Sequence, residues 1–329
     1  MGSPSPDITT PIVPEPEPLV FEPLYPRITE PERKPSKNLR HVILFLLTLI
    51  STTWLGANHY VAFQENFVSS GPITWSWTPI IGGLWYSLAI LAILGAHEFG
   101  HYFACRYYGV DASLPYFLPA PFLLTGTLGA FIRIRQPIPT KRELFDIGIA
   151  GPIAGFVVAV PVLLMGVALS RVVRIPQGFD GVELGEPLLF QAVSWLVWGT
   201  TPDGYSINLH PMGFAAWFGL LATALNLFPI GQLDGGHVSY AVLGRKSTAV
   251  TFGTVVCLMG LSFVSSSWIV WTVLTIAMLV VFGPRHPRTF DEDVPLDPAR
   301  RWLAVFALVM FVLCFTPAPI EPLKLVATP

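Results

Sequence analysis

The chain has 329 residues, 52% of them hydrophobic and 12% charged, with a mean hydropathy of +0.59. A soluble domain carries roughly 25% charged residues, so this composition points to an integral membrane protein whose helices are apolar on most sides. The formal net charge of −2 leaves no basic domain for a nucleic-acid partner, and Cys105, Cys257 and Cys314 are too few and too scattered for a disulfide framework.

Residues 1–40 hold ten prolines and several glutamates without an apolar period, and read as a disordered, Pro-rich tail. The first apolar run starts at His41, after Arg33, Lys34, Lys37 and Arg40, which is no signal-peptide pattern. Apolar spans follow at about 41–58, 78–106, 144–170, 211–232, 247–265, 267–283 and 302–317. The run Pro187–Trp198 is about a dozen residues long and reads as interfacial or re-entrant. The expected fold is an all-α polytopic membrane protein of about seven transmembrane helices. Residues 41–317 form the membrane domain and 318–329 a short tail.

Charge sets the orientation. With the tail inside and seven alternating spans, 16 of the 19 Lys and Arg fall in cytoplasmic segments; only Arg171, Arg174 and Lys324 fall outside. The positive-inside rule favours this topology, with a cytoplasmic N-terminus and the cell membrane as the site.

The second span ends in His97-Glu98-Phe99-Gly100-His101. Two histidines four apart share one helix face and can bind one metal ion, while the glutamate can take a proton from a water that the ion activates. Arg106, Tyr107 and Tyr108 read as interfacial anchors. They put the motif roughly 8–13 Å inside the membrane from the cytoplasmic face, at 1.5 Å per residue.

Leu114–Gln136 carries Pro115, Pro119 and Pro121, which forbid a regular helix, and then Phe131–Arg135 alternates as a strand does. A small membrane-associated β-hairpin is expected between the second and third spans. Two uses stand open for it: a structural plug, or an edge on which an extended peptide docks. The third span carries Gly148, Gly151 and Gly155, a spacing that favours close helix packing.

The fourth span runs into Asn226-Leu227-Phe228-Pro229-Ile230-Gly231-Gln232-Leu233-Asp234-Gly235-Gly236-His237. Pro229 and Gly231 should break the helix inside the membrane, where irregular backbone is tolerated only in a protein interior or a cavity wall. A carboxylate at that depth needs a partner, and a metal is the natural one. His97, His101 and Asp234 would supply three ligands and leave a fourth position for water, as a catalytic zinc requires. Asn226 could donate to a developing oxyanion or bond between helices. His237 could back up a ligand or meet water.

These residues resemble the site-2 proteases, the intramembrane zinc metallopeptidases of class M50. The likeness rests on His97–His101, on Asn226-Leu227-Phe228-Pro229 with Leu233-Asp234-Gly235-Gly236, and on the Gly148–Gly155 segment between them. The resemblance makes residues 79–237 the catalytic core, with zinc on His97, His101 and Asp234 and Glu98 as general acid/base. It places Asn226 near the scissile carbonyl. It also implies that Gly126, Thr127, Leu128, Gly129, Ala130, Phe131 and Ile132 bind unwound substrate as an added strand. The implied partners are a transmembrane protein substrate and the lipid bilayer, with homo-oligomer formation left open. Among relatives, PDZ and CBS domains are common; the outer loop 171–210 has no room for a PDZ domain. A metal transporter would add further ligands along its path, whereas His41, His59, His210 and His286 are dispersed. Two histidines on one helix cannot clasp a haem from both faces.

Overall fold

The computed structural model describes residues 38–66, 76–176 and 181–322. The expectations for the N-terminal tail up to residue 37 and for residues 323–329 lie outside the described residues. In chain order the elements are α1 (Leu39–Gln64), α2 (Trp77–Tyr107), β1 (Tyr116–Pro119), β2 (Thr127–Phe131), α3 (Lys141–Ala168), β3 (Arg171–Arg174) and β4 (Val182–Leu184). They continue as α4 (Leu188–Trp198), β5 (Tyr205–Asn208), α5 (Pro211–Asn226), α6 (Asp234–Leu243), a 3-10 turn at Gly244–Lys246, α7 (Ser247–Val264), α8 (Ser267–Phe282), α9 (Pro298–Cys314) and β6 (Ile320–Pro322).

Local chemistry explains several boundaries. Thr140 caps α3 by accepting the Glu143 backbone N–H at 3.3 Å, the start of a capping box. Asp297 caps α9 by accepting the Arg300 N–H at 3.1 Å, with Pro298 at the first helical position. Pro211 opens α5 in the same way, and His210 Nδ1 accepts the Met212 N–H at 3.2 Å.

Four helical stretches are long and apolar enough to cross a membrane: Leu39–Gln64, Trp77–Tyr107, Lys141–Ala168 and Asp234–Val264. That is fewer than the expected seven. The fourth expected span divides, because α5 stops at Asn226 and α6 starts at Asp234; α6 then runs through the 3-10 turn into α7. With 16, 16 and 17 residues, α5, α8 and α9 reach only about 24–26 Å at 1.5 Å per residue. Burial explains why α5 can be short. Ala215, Ala216, Trp217 and Leu220 are fully buried, packed among Tyr86, Ile90 and Ile93 of α2 and Leu163 and Val167 of α3. α5 is the centre of the core and presents little surface to lipid. The run Pro187–Trp198 forms the 11-residue helix α4, Leu188–Trp198, with Pro187 just before it.

The hairpin is present, with a shifted second strand. β1 and β2 pair antiparallel from Tyr116↔Phe131 to Pro119↔Thr127, so β2 ends where the expected strand began. Beyond Phe131 only the bridge Ala112↔Ile134 forms. There the Ser113 hydroxyl accepts the Arg133 N–H at 2.9 Å, a side chain standing where a ladder carbonyl would. At the other end Gly126 adopts φ +70°, and its carbonyl accepts the Ser51 hydroxyl at 2.7 Å, fastening the hairpin tip to α1. The other described strands pair as β3 with β5 and β4 with β6, both antiparallel.

Candidate metal centre

Late in α2, His97, Glu98 and His101 are buried at 6–7% exposure. Position i and i+4 on one helix turn both imidazoles toward α3 and the start of α6. The Nε2 atoms of His97 and His101 stand 3.1 Å apart. Asp234, the first residue of α6, reaches the same point: Oδ2 lies 3.1 Å from His97 Nε2 and Oδ1 3.3 Å from His101 Nε2. The break at Pro229 and Gly231 does what the sequence suggested. α5 ends at Asn226, the chain turns over Leu227–Leu233, and α6 re-enters with its N-terminus aimed at the histidines.

Hydrogen bonding fixes which atoms are free. His101 Nδ1–H donates to the Ile147 carbonyl of α3 at 2.7 Å, so its Nε2 carries the lone pair. Asp234 Oδ2 is buried with no hydrogen-bond partner, despite its closeness to His97. The His101 Nε2 lone pair, the unpartnered Asp234 oxygen and the His97 imidazole converge in one buried space, an arrangement that suits a cation. The spacing suits zinc: tetrahedral ligands at about 2.0–2.1 Å stand about 3.4 Å from one another. One ligand atom from each of His97, His101 and Asp234 falls within 4.8 Å of the others, and the donor set fits a catalytic zinc site.

The floor of the site is the glycine face of α3. A Cβ on Gly151 would overlap the His101 imidazole, one on Gly155 would come within 3.1 Å of the His97 Cβ, and one on Gly148 within 2.9 Å of the His237 Cβ. The sequence marked these glycines as helix-packing positions; each makes room for a histidine. Asn226 also reaches the site, with Nδ2 3.2 Å from His97 Nε2. Glu98 Oε1 is 4.0 Å from His97 Nε2, and the Ile132 backbone N–H, just past β2, faces its carboxylate.

Of the expected strand-binding residues, β2 holds Thr127, Leu128, Gly129, Ala130 and Phe131, with Leu128 and Phe131 exposed. The Thr127 hydroxyl accepts the Gly129 N–H at 3.0 Å and donates to the Leu118 carbonyl of β1 at 2.8 Å, bridging the two strands. His237 does not join the three clustered side chains; its Nδ1 pairs with His286 Nε2 at 2.7 Å. Two contributors escaped the sequence reading. The Ile147 carbonyl has no side-chain signature, and His286 lies 49 residues from its partner, in a loop.

A helical membrane fold with a His-His-carboxylate centre beside a glutamate defines the class of membrane metallohydrolases. Residues 85–266 match the sequence model of Peptidase family M50, more than half the chain, and the chain belongs to that family. It is 31% identical over 231 residues to "Probable zinc metalloprotease EGY2, chloroplastic" of Arabidopsis thaliana, covering 70% of this chain and 40% of the relative. It is 32% identical over 239 residues to "Probable zinc metalloprotease EGY1, chloroplastic" of Oryza sativa subsp. japonica, covering 67% and 40%. With the Arabidopsis thaliana EGY1 protein it shares 28% identity over 300 residues, 84% of this chain and 52% of that one. The chain thus spans about half or less of the length of these relatives. No solved structure matches. The family is a peptidase family, these relatives are named as probable zinc metalloproteases, and the donor set of His97, His101 and Asp234 fits zinc.

Proposed function

We propose that the chain is an intramembrane zinc endopeptidase that hydrolyses peptide bonds within transmembrane segments of other membrane proteins. The observation that carries this reading is the convergence of His97, His101 and Asp234 next to Glu98, inside helices long enough to cross a membrane. In it, His97, His101 and Asp234 hold the zinc. When bound, zinc supplies Lewis acidity toward water and toward the substrate carbonyl. Glu98 takes the proton from the attacking water and delivers it to the leaving amine. The amide of Asn226 donates to the oxyanion that develops on the carbonyl. The β2 edge receives the substrate as an extended strand across Gly126–Ile132.

A transmembrane helix locks its carbonyls in i→i−4 bonds, so substrate must unwind before attack, and the exposed edge of β2 offers partners for the freed backbone. Helix-breaking Gly or Pro near the cut should favour cleavage. The distribution of 16 Lys and Arg against three supports seven crossings, a cytoplasmic N-terminus, and a site near the cytoplasmic face of the cell membrane, from which water reaches it. Residues 41–317 then form one membrane protease domain, with 79–237 as its catalytic core.

The test is cleavage of a single-span peptide by the protein reconstituted in liposomes. Products ending within the span, abolished by a zinc chelator and restored by zinc, are expected. Metal uptake into the liposomes with no peptide cut would overturn the protease reading in favour of transport.

A further inference from the structure

Residues 283–297, between α8 and α9, lie beyond the family-matched segment 85–266 and pack on α6 and the start of α3. Within this strap the His286 ring stacks on Tyr240 of α6, with centroids 4.4 Å apart and planes at 18°. The Tyr240 hydroxyl accepts the Thr289 N–H at 3.3 Å and faces Glu292 Oε1 at 3.4 Å. Lys141 Nζ, buried at the start of α3, donates to the Glu292 carbonyl at 2.7 Å, and Phe290 N–H donates to the Pro139 carbonyl at 2.9 Å. The strap therefore joins α3 and α6 on the side where the ligand-bearing turn begins.

The His286–His237 contact has a defined direction. His286 Nδ1 lies 2.7 Å from the Pro287 carbonyl, an acceptor only, so Nδ1 carries the proton. Burial pushes the His286 pKa below its ordinary value, so the ring is neutral at pH 7 and Nε2 holds a lone pair. At 2.7 Å that lone pair accepts from His237 Nδ1–H. His237 sits one turn after Asp234, and its Cβ abuts Gly148 of α3. The same stretch of α3 offers the Ile147 carbonyl to His101. On the N-terminal side α6 has only the irregular chain Leu227–Leu233, so its first turn gains no stiffness from a continuing helix.

We propose that His286 is a positioning residue for the metal centre: by accepting the His237 Nδ1–H it anchors the first turn of α6 and holds the Asp234 carboxylate at the two histidines. The proposal rests on the zinc reading above. It assigns His237 the Nδ1–H tautomer and makes a residue outside the matched segment a determinant of metal affinity.

The experiment measures zinc affinity of the purified full-length protein by chelator competition, for the wild type, His286→Gln and His286→Phe. Gln keeps an acceptor oxygen on a side chain of similar reach. Phe keeps a ring to stack on Tyr240 and loses the acceptor. His286→Phe is expected to lose about 10–100-fold in zinc affinity, the usual range for a residue that orients a ligand, and His286→Gln to stay within about threefold. Unchanged affinity in His286→Phe would overturn the proposal. So would an equal loss in both variants, because ring packing would then be the cause. Imidazole 15N NMR of the wild type needs no variant to fold: protonated Nδ1 on both histidines supports the assignment, and an unprotonated Nδ1 on His237 contradicts it. A wild type that binds zinc yet cuts no peptide contradicts the protease reading and leaves this one standing.

Discussion

Replacing Gly151 by alanine would put a methyl group into the imidazole of His101, on a helix that cannot yield without carrying Ile147 and Gly155 with it. Zinc content of purified Gly151→Ala, read by elemental analysis, should fall at least about tenfold. Gly253→Ala is the control: a Cβ there meets nothing within 4 Å, and zinc should be unchanged. Asn226 separates two roles. If its amide serves the oxyanion, Asn226→Ala keeps its zinc and loses about 100-fold in kcat. A loss of zinc instead would assign it to holding His97. The clustering of His97, His101 and Asp234 was legible because i, i+4 spacing on a helix and an acidic residue after a Pro-Gly break have few physical readings. The tautomer of His101 was not legible, because it is set by a backbone carbonyl, and every residue has one.

At the scale of elements, the C-terminal end of α2 and the N-terminal ends of α3 and α9 meet in one ion cluster. Arg300 grips Asp146 through Nε at 2.8 Å and Nη2 at 2.5 Å, and it also pairs with the cap residue Asp297, while the Tyr108 hydroxyl donates to Asp146. Arg300 holds the Asp297 carboxyl below its ordinary pKa by hydrogen bonding. The Arg300 and Asp146 side chains are 16% and 22% exposed, so removing one partner leaves a poorly solvated charge. Arg300→Met should cost about 1–3 kcal/mol in detergent unfolding. Asp146→Asn should cost a similar amount, and the double variant less than the sum. At the opposite end of the fold, His210 caps α5 from among Phe63 and Trp85, and burial, with help from Arg171, lowers its pKa to about 4. The unfolded chain takes up that proton near pH 6.5, so this contribution to stability is full above pH 6.5 and drains away as pH falls toward 4. His210→Asn keeps a capping acceptor and should flatten the melting temperature over that window; an unchanged slope would refute the assignment. Element existence was legible from apolar runs. Their division was not: α5 reads like a lipid-facing span, yet it is buried all round, and hydropathy cannot distinguish lipid from protein as the apolar surroundings.

For the whole molecule, the membrane core extends past the family-matched segment. Ala307 and Met310 of α9 are buried against Phe145 and Ile149 of α3, Leu227, and Val238 of α6, so the C-terminal helix completes the wall behind the Asp234 turn. This was beyond the sequence reading, because contacts between residues 145 and 310 leave no local pattern. The proposed function rests on a zinc site inside the bilayer, with one glutamate moving protons. The measurement that tests it most directly compares the wild type with Glu98→Gln, scoring bound zinc and cleavage of a single-span membrane peptide in the same liposome preparation. The account predicts equal zinc, about one per chain, and a loss of cleavage of at least about 1,000-fold in Glu98→Gln. Cleavage that persists in a zinc-loaded Glu98→Gln protein would contradict it.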